Sequence, residues 1–125
     1  MVLVDTSVWI RSLANRSPFF AELDRLLSLN EVVGHELVYG ELLIGDRGGR
    51  HKLLAAYSEM FQAATIPHQE VVAFVGARKL HGRGVGWIDI HLLASAIVGG
   101  TKLWTDDPRL SVLAGEFGVD YRFRA

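Results

Sequence analysis

The chain has 125 residues, half of them hydrophobic and 22% charged, with a formal net charge of −1. That length suits a single domain, residues 1–125, with a core of its own, and the charge balance argues against a purely electrostatic nucleic-acid binder, which is usually basic. With no cysteine, disulfide frameworks, zinc–thiolate sites and thiol nucleophiles are excluded, and a reducing, cytoplasmic setting is expected.

Val2-Leu3-Val4 reads as a short buried strand. Segments 6–14 and 18–29 read as helices, with Ser17 capping Pro18 at the start of the second. Glu31-Val32-Val33 is a second strand. Residues 35–44 are expected to form a helix stopped at Gly45, and about 49–60 another. Gln62–Ile66 is a third strand ended by Pro67, followed by a helix over 68–81. Gly82-Arg83-Gly84-Val85-Gly86 reads as a flexible break rather than a dinucleotide loop, because its spacing is wrong and it follows a helix. Residues 87–98 are nearly all apolar and predict a buried helix. Lys102-Leu103-Trp104 is a fourth strand, 108–116 a helix and Val119-Asp120-Tyr121 a last strand. Strands alternating with helices predict an α/β domain with a mainly parallel sheet. Ligands of such sheets bind beyond the carboxyl ends of the strands. No apolar run is long enough to span a bilayer. Met1–Asp5 carries no basic residue and is cut by an acid, so no signal peptide is expected there.

Four separated carboxylates carry the functional argument: Asp5, Glu41, Asp89 and Asp107. Asp5 directly follows the first strand, as an N-cap or as a carboxylate at the mouth of the sheet. Thr6 and Ser7 add hydroxyls there, able to orient a carboxylate or a bound water. Glu41 has Leu37, Val38, Ile44 and Gly45 as its helical neighbours. An acid among apolar neighbours needs a partner, which favours a functional role. Glu36, in the first turn of the same helix, is assigned to the helix dipole. Asp89 heads the buried helix, where His91 reads as a structural histidine rather than a ligand. Asp107 follows the fourth strand and precedes Pro108, a good N-cap and N1 pair. Asp106 could take its place, and spacing does not separate the two. Four converging acids would repel one another unless a hard cation such as Mg²⁺ or Mn²⁺ held them.

Asp5-Thr6-Ser7-Val8-Trp9-Ile10 resembles the opening motif of PIN-domain ribonucleases, in particular the VapC toxins of bacterial toxin–antitoxin pairs. Glu41-Leu42-Leu43-Ile44-Gly45 looks like their glutamate helix. Gly86-Trp87-Ile88-Asp89-Ile90-His91-Leu92-Leu93-Ala94-Ser95-Ala96 looks like their third motif, and Leu103-Trp104-Thr105-Asp106-Asp107 like their last. The resemblance runs from residue 1 nearly to the end. It implies a five-stranded PIN-like sheet of order 3-2-1-4-5 flanked by helices. It also implies Mg²⁺- or Mn²⁺-dependent endonucleolytic cleavage of RNA, in which the cation activates a water and orients the scissile phosphate. Asp5, Glu41, Asp89 and Asp107 would then be the catalytic metal ligands, directly or through water, with Thr6, Ser7 and Thr105 orienting them. A cognate VapB-type antitoxin is implied as partner. The large apolar side chains Trp9, Ile10, Leu13, Phe19, Phe20, Leu23, Leu42, Leu43 and Tyr57 are core, an antitoxin groove or a homodimer face.

Rival chemistries fit less well. Receiver domains need an acid after a middle strand, where this chain has Ile66-Pro67-His68. Aspartate-nucleophile phosphatases need a second Asp two residues after the first, where this chain has Ser7. A non-catalytic, degenerate PIN-type RNA- or protein-binding module is the alternative, and four intact acids count against it.

Overall fold

The computed structural model describes residues 1–122. Among these, three strands and seven helices follow in the order β1 (Val2–Val4), α1 (Thr6–Leu13), α2 (Phe19–Ser28), β2 (Val32–Val33), α3 (Glu36–Ile44), α4 (His51–Glu59), α5 (His68–Arg78), α6 (Trp87–Gly99), β3 (Lys102–Trp104) and α7 (Pro108–Glu116). The strands form one parallel sheet of order β2-β1-β3. Every side chain of β1 is buried, as expected for a central parallel strand covered by helices on both faces.

The sheet has three strands rather than five. The two expected outer strands survive as single parallel bridges, Gly34 to Gln62 and Leu103 to Asp120. Each is held by a pair of backbone hydrogen bonds. Gly34 donates to Phe61 and accepts from Ala63, while Leu103 donates to Val119 and accepts from Tyr121. Those segments therefore flank β2 and β3 on the sides anticipated, without becoming strands. The cause lies in their neighbours. β2 ends after two residues because His35 turns into the cap of α3, so nothing remains for residues 64–66 to pair with.

His35 is fully buried and caps α3, its Nδ1 accepting from the Leu37 N–H at 3.1 Å. With Nδ1 an acceptor, Nε2 carries the proton and faces the Ser95 hydroxyl at 3.0 Å, and Ser95 in turn donates to the Ala64 carbonyl. The Tyr57 hydroxyl accepts from the His35 N–H and donates to the His35 carbonyl. One residue thus ties β2, α3, α4 and α6 together, by its ring and its backbone, and burial holds the imidazole pKa below the ordinary 6.5.

Several element ends shift by a few residues from expectation, and two have a local cause. Ser17 caps nothing: α2 starts at Phe19 with Pro18 in the N-cap place and no side-chain cap. Helix α5 stops at Arg78, because Lys79 takes a left-handed conformation with φ 55°. The Gly82–Gly86 break is tethered rather than free: Arg83 pairs with Glu116 of α7, and the Arg109 guanidinium reaches the Gly84 carbonyl. Among the described residues no helix is long and apolar enough to cross a membrane.

Candidate metal centre

The carboxyl edge of β1 and β3 is stitched by hydroxyls. Asp5 occupies the N-cap position of α1, yet its side chain makes no capping bond. The residue is 4% exposed, and its Oδ2 accepts from both Ser7 Oγ and Thr105 Oγ1, each at 2.8 Å. Both hydroxyls also accept from the loop after β3: Ser7 Oγ from the Asp106 N–H and Thr105 Oγ1 from the Asp107 N–H. Their single protons go to Asp5, and their lone pairs accept from the backbone of the loop after β3. The Asp5 N–H donates to the Trp104 carbonyl at 2.8 Å, closing the same junction. Asp5 is therefore held by both strands at once.

Glu41 comes from α3. Thr6 Oγ1 donates to its Oε1 at 2.6 Å, so adjacent hydroxyls at the start of α1 position two different acids. The apolar neighbours of Glu41 do not form a buried face. Val38 and Leu42 are buried, but Leu43 is 51% and Ile44 88% exposed. Glu41 lies at the border between core and surface, and its tie to Thr6 marks it more directly than its neighbours do.

Asp89 sits in the first turn of α6. Its carboxyl is pushed up to about 6, first by burial and then by the negative charges of Asp5, Glu41 and, least, Asp107; a hydrogen bond from the Gly86 backbone opposes the rise. Carboxylates perturb one another in this way only at short range. Asp89 thus feels the charges of acids from three other elements.

Asp107 caps α7, its Oδ1 accepting from the Arg109 N–H at 2.9 Å, with Pro108 behind it. It is also the weakest of the charges that act on Asp89. Asp106 turns aside to an ion pair with Arg11 of α1 and is not among the charges that move Asp89. Arg11 escaped the sequence reading. The only available signal was its place one turn beyond Ser7 on the same helix.

The donor set suits a hard divalent cation: carboxylate oxygens, hydroxyls that fix them, and a charge surplus that raises one carboxyl. The ligands are not fully gathered, since among the described residues no three His, Cys, Asp or Glu side chains form a group ready to hold an ion. Chemistry and placement fit a cation, and closing its shell requires the carboxylates to draw in or water to complete it.

Comparison with known proteins shows the family. The PIN domain family matches residues 2–116. Two curated relatives, both called Ribonuclease VapC32, come from Mycobacterium tuberculosis strains CDC 1551 / Oshkosh and ATCC 25618 / H37Rv. Each is 43% identical over 120 residues, covering 95% of this chain and 94% of the relative.

Proposed function

Because the chain belongs to the PIN-domain family, we propose that it is a Mg²⁺- or Mn²⁺-dependent endoribonuclease and the toxin of a toxin–antitoxin pair. The observation that carries this reading is the pair of acids fixed by hydroxyls at the sheet edge, Asp5 by Ser7 and Thr105 and Glu41 by Thr6. The relatives' name adds the substrate, since a ribonuclease acts on RNA.

Asp5, Glu41, Asp89 and Asp107 would hold the cation. When bound, it supplies activation of the attacking water and offsets charge on the scissile phosphate. The protein's part is positioning. Ser7 and Thr105 fix the Asp5 carboxylate by one oxygen and leave the other, Oδ1, for ligation. Thr6 aims Glu41, and the Gly86 backbone steadies Asp89. Without a cation the four charges would repel an RNA phosphate, so binding and chemistry share one requirement.

The apolar surface supports the partners. A groove of about 230 Å³ between α1 and α2, bordered by Leu53 of α4, leaves Leu13 42% and Phe20 48% exposed above buried Trp9 and Leu23. An amphipathic helix of an antitoxin fits such a groove, and a basic side chain from it would be drawn to the acids. The exposed Leu43 and Ile44 of α3 suit a homodimer face. An RNA substrate and a protein antitoxin both place its action in the cytoplasm. The open ligand set is the one observation that favours a non-catalytic module instead.

The test is incubation of end-labelled RNA with the protein in Mn²⁺, in Mg²⁺ and in EDTA. Internal cuts in either metal, lost in EDTA and with Asp5→Asn, support the reading. Intact RNA under every condition favours the non-catalytic module.

A further inference from the structure

The carboxyl edge holds an ion pair that the acids do not need, between Arg11 of α1 and Asp106 of the loop after β3. That loop is already fixed without it. The Asp106 N–H donates to Ser7 Oγ at 3.1 Å and the Asp107 N–H to Thr105 Oγ1 at 3.0 Å. Asp106 is not among the charges that move Asp89. The two side chains are 34% and 32% exposed, and at such exposure an ion pair adds little to stability. What the pair does is keep a guanidinium in one place.

That place adjoins Asp5. Arg11 lies one turn beyond Ser7, and its Nη1 reaches back to the Ser7 carbonyl at 3.5 Å. Ser7 Oγ in turn donates to Asp5 Oδ2 at 2.8 Å. Asp106 follows Thr105, whose hydroxyl donates to the same Asp5 oxygen. Thr105 and Asp106 both line a cleft of about 670 Å³, with Phe19 and Trp104 as further walls. The carboxylate that Arg11 holds therefore borders open space that begins at the Asp5 junction. A guanidinium fork matches a phosphate as well as it matches a carboxylate. Exchanging Asp106 for a phosphate costs the fold little, because the loop keeps its backbone bonds.

We propose that Arg11 binds a phosphate of the RNA next to the scissile one, and that Asp106 is the stand-in that holds the guanidinium ready until RNA arrives. This rests on the ribonuclease reading above. A cation among the acids offsets charge at the scissile phosphate, which leaves the neighbouring phosphates to the protein. Arg11 also lies in the last turn of α1, where any cation complements the helix dipole; that role predicts no change in substrate binding.

The test is steady-state cleavage of one RNA in Mn²⁺ across a series of salt concentrations by wild type, Arg11→Gln, Arg11→Lys and Asp106→Asn, with a thermal melt of each. Arg11→Gln should raise KM about tenfold, the loss of one charge-assisted contact, with kcat within about threefold. Its slope of log KM against log salt should flatten by about 0.7–0.9, one phosphate contact. Arg11→Lys should keep the wild-type slope. Asp106→Asn should move KM downward, since the guanidinium then has no competing carboxylate. A pair that merely braces the loop would give changes of the same sign in both partners. An unchanged KM and salt slope in Arg11→Gln overturns the proposal. So does a rise of KM in both Arg11→Gln and Asp106→Asn with lowered melting temperatures, and so does a loss of kcat at constant KM in Arg11→Gln. If wild type cleaves no RNA, the ribonuclease reading fails and this inference falls with it.

Discussion

Neutralising Asp89 should stabilise the protein while stopping its chemistry. Burial and three neighbouring acids hold this carboxyl at about 6 instead of the ordinary 3.8. The folded state therefore binds the proton more tightly than the unfolded state, and stability falls as pH rises from about 3.8 to about 6. Above that window the ionised form carries about 3 kcal/mol of penalty, at about 1.4 kcal/mol per decade. Asp89 is only partly buried, so solvent screening reduces the penalty to about 1.5 kcal/mol. Asn keeps an oxygen for the Gly86 backbone and removes the charge. For 125 residues, unfolding entropy of about 0.26 kcal/mol/K converts this into a Tm rise of about 6 °C. Thermal melts of wild type and Asp89→Asn in EDTA, at pH 4 and pH 8, measure it. The gain should be present at pH 8 and nearly gone at pH 4. An Asp89→Asn protein no more stable than wild type at pH 8 would refute the shared field of the four acids.

His35 gives the opposite pH dependence. Its pKa is lowered by burial, so the stability it adds is full above 6.5 and drains as pH falls below that value. His35→Ala should cost about 3 kcal/mol at pH 7.5, from the lost cap and unpaired buried groups, and denaturant titration should show the cost shrinking toward pH 5. Thr105→Val removes a proton donor from Asp5 and an acceptor from the Asp107 backbone. RNA cleavage should drop roughly tenfold to a hundredfold, the range for groups that orient ligands, and Thr105→Ser should restore most of it. Phe20→Glu puts a charge into the α1–α2 groove. It should abolish antitoxin binding in a pull-down with the purified partner while leaving RNA cleavage within about threefold.

Much of this architecture was legible because each element has local chemistry behind it. Val2–Val4, Pro108 after Asp107 and the apolar run from Trp87 announce a central strand and two helix starts, and all appear as read. The outer strands were misjudged because strand character depends on a neighbour. Gln62–Ile66 has strand-like composition, but β2 stops at Val33 and His35 turns away, so one bridge is all that forms. The acids show the same division. Spacing could nominate Asp5, Glu41 and Asp89, but separating Asp107 from Asp106 required knowing where Arg11 points. The reason given for Glu41 was partly wrong, since Ile44 faces water; its bond to Thr6, 35 residues away, is invisible to any local pattern.

The most direct test is the cleavage rate of one RNA in saturating Mn²⁺ by five single neutralisations: Asp5→Asn, Glu41→Gln, Asp89→Asn, Asp107→Asn and Asp106→Asn. The first four should each lose at least about a hundredfold, as expected when a group that holds a catalytic cation is removed. Asp106→Asn, which only releases Arg11, should stay within several-fold of wild type. If Asp106→Asn is as damaged as Asp107→Asn, or any of the first four cleaves at the wild-type rate, the single four-acid cation site is contradicted.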